Sequence, residues 1–278
     1  MARPRVRLVV TADDFGYCPR RDEGIVEAFL AGAVTSVSLL VNGAAAESAA
    51  ELARRHQIPT GLHANLSEGR PVGPARHGPS SLLSPEGFFL GKMGFREAVA
   101  AGDVALPQVR EELESQLSRF RELLGRDPTH VDGHQHVHVL PGVCQVFAEA
   151  LQAYRVRFTR LPMERGVGGC VWLEAPARAF ASSVERDAQA AVGLFSRHGL
   201  RVQKGGHGLA LGQPGTRPGG GSVTSLGRHC AQVLTAQWQP ELWEPLLGTD
   251  GPACDIWAWG LPSIWCPSYC YVVIFLEV

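Results

Sequence analysis

The sequence predicts an α/β fold: a mostly parallel sheet covered by helices, open or closed into a barrel, whose pattern is incomplete toward the C-terminal end. Short apolar runs alternate with segments of helical period as far as about Gly205, and such alternation produces a mostly parallel sheet covered by helices. Five βα units can be counted before the pattern fails. A closed eight-fold barrel takes about 250 regularly patterned residues, so the last units are not supplied.

Val6 to Val10 reads as a buried strand that ends at the pair Asp13-Asp14, and Ile25, Val26, Phe29 and Leu30 form a helical stripe that stops near Gly32. Val37 to Val41 is a second strand, followed by an Ala-rich helix from about Ala44 to His56. Ile58 to Leu66 is a third strand and contains His63. Arg70 to Leu90 is rich in Gly, Pro and Ser without a period, as expected of a long loop of the kind often found over an active site. Pro107 suits a first helical turn, Leu113, Leu117, Phe120 and Leu124 recur at helical spacing, and Gly125 is placed to stop the helix. A strand is expected at about Thr129 to Val139, a helix at Val143 to Tyr154, a strand at Val156 to Leu161, and a helix from Ala177 to His198 ended by Gly199.

Two regions follow: a body over residues 1–205, and a tail over 206–278 whose order the sequence does not support. From 208 onward there are seven charged side chains, and Trp238, Trp243, Trp257, Trp259 and Trp265 crowd into the same stretch. Limited packing against the body is the expectation there.

With 278 residues and 45% apolar composition the chain can bury a sizeable core without staples. A net charge of −1 provides no basic stripe for phosphate backbones and no polybasic membrane patch, so neither nucleic acid nor membrane is an expected partner. No apolar run reaches the roughly 18 residues of a membrane span, and the stretch Met1 to Val10 is too short for a signal-peptide core. Seven cysteines, an odd number without a CxxC pair, suit reduced thiols in a cytoplasmic protein.

The chemistry is concentrated in Thr11-Ala12-Asp13-Asp14-Phe15-Gly16 and Asp132-Gly133-His134-Gln135-His136-Val137-His138. Adjacent carboxylates at one strand end and alternating imidazoles at another are what a divalent metal with a neighbouring general base requires. On a strand His134, His136 and His138 would share one face, a pattern that packing alone explains poorly. Strand ends converge at one face of such sheets, so His63 in Gly61-Leu62-His63-Ala64-Asn65-Leu66 can meet Asp14 and His134. An isolated Asp-Asp is more often a turn or a helix cap, and His56, His77, His130, His198 and His229 are read as structural.

Together these three motifs resemble, in order and context, the YdjC-like carbohydrate deacetylases, over about residues 5 to 205. The resemblance implies a distorted (β/α) barrel-like parallel sheet, hydrolysis of an N-acetyl group on an oligosaccharide, Asp13 as proton acceptor, and Asp14, His63 and His134 as ligands of a divalent metal. It also implies magnesium, although one carboxylate with imidazoles suits zinc as well. His136 and His138 are the candidates for contact with substrate and for protonating the leaving amine. The family's late His-Pro-Gly motif is missing. That gap and the composition break read as an atypical C-terminus, such as a splice form, with the metal site retained and deacetylation impaired. Two rivals stand beside this reading: a metal hydrolase of another amide or ester, and a non-catalytic interaction protein using the apolar tail that ends in Tyr271-Val272-Val273-Ile274-Phe275-Leu276.

Overall fold

Apolar β-rich segments separated by amphipathic helices build the expected parallel sheet. The computed structural model describes residues 7–77, 79–163, 166–170, 173–205 and 272–277. Strand β1 (Arg7–Phe15) leads to α1 (Pro19–Leu30), β2 (Ser36–Leu39), α2 (Ala46–Arg55) and β3 (Thr60–Ala64). After a loop containing a short 3₁₀ turn at Pro74–His77 come α3 (Lys92–Ala101), α4 (Leu106–Leu124) and β4 (Val131–Gly133). Then follow α5 (Val143–Ala153), β5 (Phe158–Pro162), α6 (Ala175–Arg197), β6 (Arg201–Gly205) and β7 (Val272–Glu277).

Strands β4, β3, β2 and β1 lie side by side in parallel, forming the curled half of a barrel, and β5 pairs with β6 in a second parallel sheet. Every residue of β2 and β3 is buried, as expected of strands covered on both faces. The distortion lies between β4 and β5. There the two are joined by side chains: Arg160 of β5 reaches Asp132 of β4, and the His138 Nε2 donates to the Arg160 carbonyl at 3.0 Å.

The helices supply the cover. Ala46, Ala49, Ala50 and Ala53 give α2 a small-residue face against the sheet, while Val109, Leu113, Leu117, Phe120 and Leu124 are the buried stripe of α4. Gly125 ends α4 at φ +68, a left-handed conformation that glycine adopts without steric cost. Buried Glu112 accepts the backbone N–H groups of Val72 and Gly73 at 2.9 and 2.7 Å and so pins the start of the long loop to α4.

Three features differ from the sequence reading. β1 does not stop at Val10 but runs through both aspartates: two residues lie between Ala12 and Phe15, against one between their partners Val37 and Leu39. That extra residue is a β-bulge, with Asp14 at φ +59. The histidine run is not a strand either, since β4 ends at Gly133 and His134–Val139 coil into a 3₁₀ segment in which Gln135 and His136 have φ of +53 and +63. This turn brings His138 Nδ1 back to accept the Gly133 N–H at 3.1 Å, so the three histidines do not share a face. Finally, β6 adds a strand the periodicity did not separate.

The tail lies outside the described residues except for β7, which pairs antiparallel with β1 from Arg7↔Glu277 to Ala12↔Val272. The run read as a sticky apolar ending thus contains a sheet strand. No described helix is long and apolar enough to cross a membrane. Cys18, Cys144 and Cys170 are free thiols.

Candidate metal and catalytic site

The bulge in β1 is what lets two neighbouring aspartates serve one site. In a regular strand their side chains would point to opposite faces, and the left-handed Asp14 removes that alternation. Both are buried, at 4% and 8% exposure.

Asp14, His63 and His134 come together. Asp14 Oδ1 lies 3.0 Å from His134 Nδ1 and 3.4 Å from His63 Nε2, and their ligand atoms all fall within 4.8 Å of one another. Two donors about 2.1 Å from one ion are separated by about 3.0 Å at a right angle and about 3.4 Å at a tetrahedral one. The donor set and its spacing therefore fit a divalent cation. His63 comes from the end of β3, His134 from the turn after β4, and Asp14 from the bulge, all at the carboxyl ends of parallel strands, where such folds place their chemistry.

Around this trio lies a ring of charges. His63 Nδ1 donates to Asp132 Oδ1 at 2.7 Å, which leaves Nε2 for a cation, and carboxylate support of this kind fixes the ring of a metal-binding histidine. Arg160 forks onto Asp13, Nη1 to Oδ2 and Nη2 to Oδ1, both at 2.5 Å, and Nη2 reaches Asp132 Oδ2 at 2.5 Å. On the open side Arg21 Nη1 holds Asp14 Oδ2 at 2.9 Å, and Glu68 Oε2 meets His134 Nε2 at 2.9 Å. The Tyr17 hydroxyl donates to Glu68 Oε1 at 3.1 Å.

Electrostatics follow from these pairs. Burial alone would raise the Asp14 carboxyl, but the hydrogen bonds and charges of His134 and His63 hold it well below the usual carboxylate range. Burial alone would lower His63, yet Asp132 and Asp13 outweigh it and push the imidazole up to about 10. His134 is raised against burial by Asp14 and Glu68. Asp132 stays far below its ordinary range because Arg160 and His63 overcome the burial penalty. Protons thus sit among these donors, and a cation binding there displaces them.

His136 and His138 do not join the trio. His138 is fully buried, and both ring nitrogens are committed to backbone groups, which leaves it no atom for a substrate. Burial lowers it to about 4. His136 is half-buried, and its Nδ1 has no hydrogen-bond partner. Asp132, Arg160, Glu68 and Arg21 are the site residues the sequence reading did not single out. Arg160 carried a signal, as a charged residue in the middle of the buried strand Phe-Thr-Arg-Leu-Pro, whereas Glu68 and Arg21 reach the site only through tertiary structure.

A curled parallel sheet that gathers a carboxylate and two imidazoles at its strand ends, beside a second carboxylate held by arginine, defines an α/β protein with a buried carboxylate–histidine centre. The chain belongs to the YdjC-like protein family, whose model matches residues 7–222. It is 91% identical over 201 residues to a carbohydrate deacetylase of Mus musculus, covering 72% of this chain and 65% of that one. To the carbohydrate deacetylase of Homo sapiens it is 90% identical over 201 residues, covering 72% and 62%. The chain thus spans slightly under two-thirds of the length of these relatives. A crystal structure from Enterococcus faecalis V583, of a protein named for cellobiose-phosphate cleavage, aligns with a TM-score of 0.55 and 26% identity over 70% of this chain and 65% of that one.

Proposed function

We propose that this chain carries the hydrolytic site of a metal-dependent carbohydrate deacetylase acting on the N-acetyl group of an amino sugar. The observation that carries the reading is the buried trio Asp14, His63 and His134 with Asp13 adjacent on the same bulge. Asp14, His63 and His134 would hold the ion, magnesium by family resemblance, with zinc the alternative that the donor set also accepts. When bound, a divalent ion lowers the pKa of a water and polarises an amide carbonyl.

The chain's own residues do the rest. Asp13 takes the proton from the attacking water, and the two hydrogen bonds of the Arg160 fork hold its carboxylate in place. Asp132 orients His63 from behind. His136, half-buried beside the trio's His134 in sequence, is the histidine left to meet the substrate. Arg21, Tyr17 and Glu68 border the open side of Asp14 and His134. The trio and Asp13 lie within residues 1–205, while the sequence lacks the late His-Pro-Gly of the family, so metal binding is retained and turnover is reduced. The cytoplasm is the expected compartment.

The test is turnover of an N-acetylglucosamine oligomer and of unrelated amides and esters by the magnesium-loaded chain, alongside the longer mouse relative. Measurable but lower release of acetate from the sugar alone is expected. Asp13→Asn should lower the rate about 10²–10⁴-fold while calorimetric metal binding persists. Preference for a non-sugar ester, or loss of metal binding in Asp13→Asn, overturns the assignment.

A further inference from the structure

Behind the His63–Asp132 pair lies a second layer of polar groups that the reading above leaves unused. His130 precedes Asp132 by two residues at the entry to β4, and its Nε2 is 2.9 Å from Ser38 Oγ on β2. Ser38 Oγ in turn donates to Asp132 Oδ2 at 3.1 Å. A hydroxyl has one proton to give. Because Ser38 gives it to the carboxylate, it must accept from His130, and the His130 proton is therefore on Nε2. Thr129 Oγ1 lies 2.9 Å from the other ring nitrogen. The result is a one-way series across three adjacent strands: His130 to Ser38, Ser38 to Asp132 Oδ2, with His63 Nδ1 donating to Asp132 Oδ1 from the opposite side.

Space for this series is built into β3. A Cβ on Gly61 would lie 2.3 to 2.5 Å from His130 Cε1, Nε2 and Nδ1, so the imidazole rests directly on the glycine and any side chain at 61 would displace it. Ser38 and Asp132 are fully buried and the His130 side chain is 13% exposed, so water does not readily replace the bonds. Arg160 also holds Asp132 Oδ2, but it is shared with Asp13. Ser38 is the neutral donor that serves Asp132 alone.

We propose that Ser38 and His130, seated on Gly61, are positioning residues that hold the Asp132 carboxylate in the rotamer that keeps the His63 proton on Nδ1 and turns its Nε2 toward Asp14. The proposal rests on the metal-site reading only for its effect on cation affinity. The orientation of His63 by the series stands without it.

Ser38→Ala strands the His130 N–H and carries a folding cost of its own, so the informative variant is Ser38→Ala combined with His130→Phe. It replaces both members of the His130–Ser38 bond with apolar groups of similar size, which is close to neutral for that bond, and Arg160 still holds Asp132 Oδ2. Three readouts are needed on the full chain: thermal unfolding without metal, magnesium and zinc affinity by calorimetry, and the proton and ¹⁵N shifts of the His63 Nδ1–H group. A roughly ten- to hundredfold weaker metal affinity, an altered Nδ1–H resonance and near wild-type unfolding support the proposal. Unchanged affinity with an unchanged Nδ1–H resonance overturns it and leaves His130 a packing residue. If the wild-type chain binds neither cation, the metal reading fails while the Nδ1–H comparison still decides the positioning role.

Discussion

Arg160 is the residue on which the site's charge balance depends. One buried guanidinium faces two buried carboxylates, Asp13 and Asp132, so Arg160→Ala takes the guanidinium from Asp13 and leaves Asp132 with His63 and Ser38 alone, and it should destabilise the fold by about 3–5 kcal/mol, the usual cost of breaking a buried pair. Urea unfolding measures this, and a change under about 1 kcal/mol would mean that water reaches the pair. Asp22 poses the opposite case. It is buried on α1, with Oδ1 accepting the Gly16 N–H at 2.7 Å and Oδ2 unpartnered, and burial raises its carboxyl to about 7 despite that bond. The folded state therefore binds its proton more tightly than the unfolded chain does. Stability attributable to Asp22 is full at low pH, declines as pH rises from about 4 to 7, and is lost above. Asp22→Asn should accordingly be close to neutral at pH 4 and stabilising at pH 8 by about 1–2 kcal/mol, read from melting curves at the two pH values. At this scale the aspartate pair, His63 and His134 were legible, because unusual residue types stood at strand ends. Arg160 and Asp132 were visible in sequence but had no spacing rule to connect them, as the bonds joining them cross from β5 to β4 and β1.

The elements were easier to read where periodicity has a single cause. α4 and α5 follow their apolar stripes closely, and the glycine at 125 terminates its helix as expected. The histidine run misled because alternation is a strand signal only while the backbone stays extended. Here a left-handed Gln135-His136 step turns the chain back over Gly133, and what alternates in sequence diverges in space. The turn depends on that glycine: an added Cβ would stand 2.6 Å from His138 Nδ1 and 2.8 Å from its backbone nitrogen. Gly133→Ala should therefore cost roughly 1–3 kcal/mol and weaken metal binding through displacement of His134. A melting curve paired with a metal titration checks both, and wild-type values in each would show that the turn can shift without disturbing the ligand.

For the molecule as a whole, β7 determines how the sheet ends. Without it β1 would present an unpaired row of backbone groups beside the buried core, an invitation to intermolecular pairing. Removing residues 272–277 should bring faster hydrogen exchange at the β1 amides and a rise in aggregation, measured by exchange mass spectrometry and light scattering. Unchanged β1 protection would show that the strand is dispensable. The barrel-like class was legible from the first five βα units, but this strand was not, because an apolar run after a long unpatterned stretch does not say which edge it joins. The pairing also has a temporal side. Arg7 finds its partner at Glu277, 270 positions later, and ribosomes add about 5–20 residues per second. The aspartate-bearing strand therefore spends tens of seconds of its early life with one side bare. Contacts of such long sequence separation are slow to form, so this edge closes late in folding, and a chaperone that shields a single exposed strand would have its longest opportunity here.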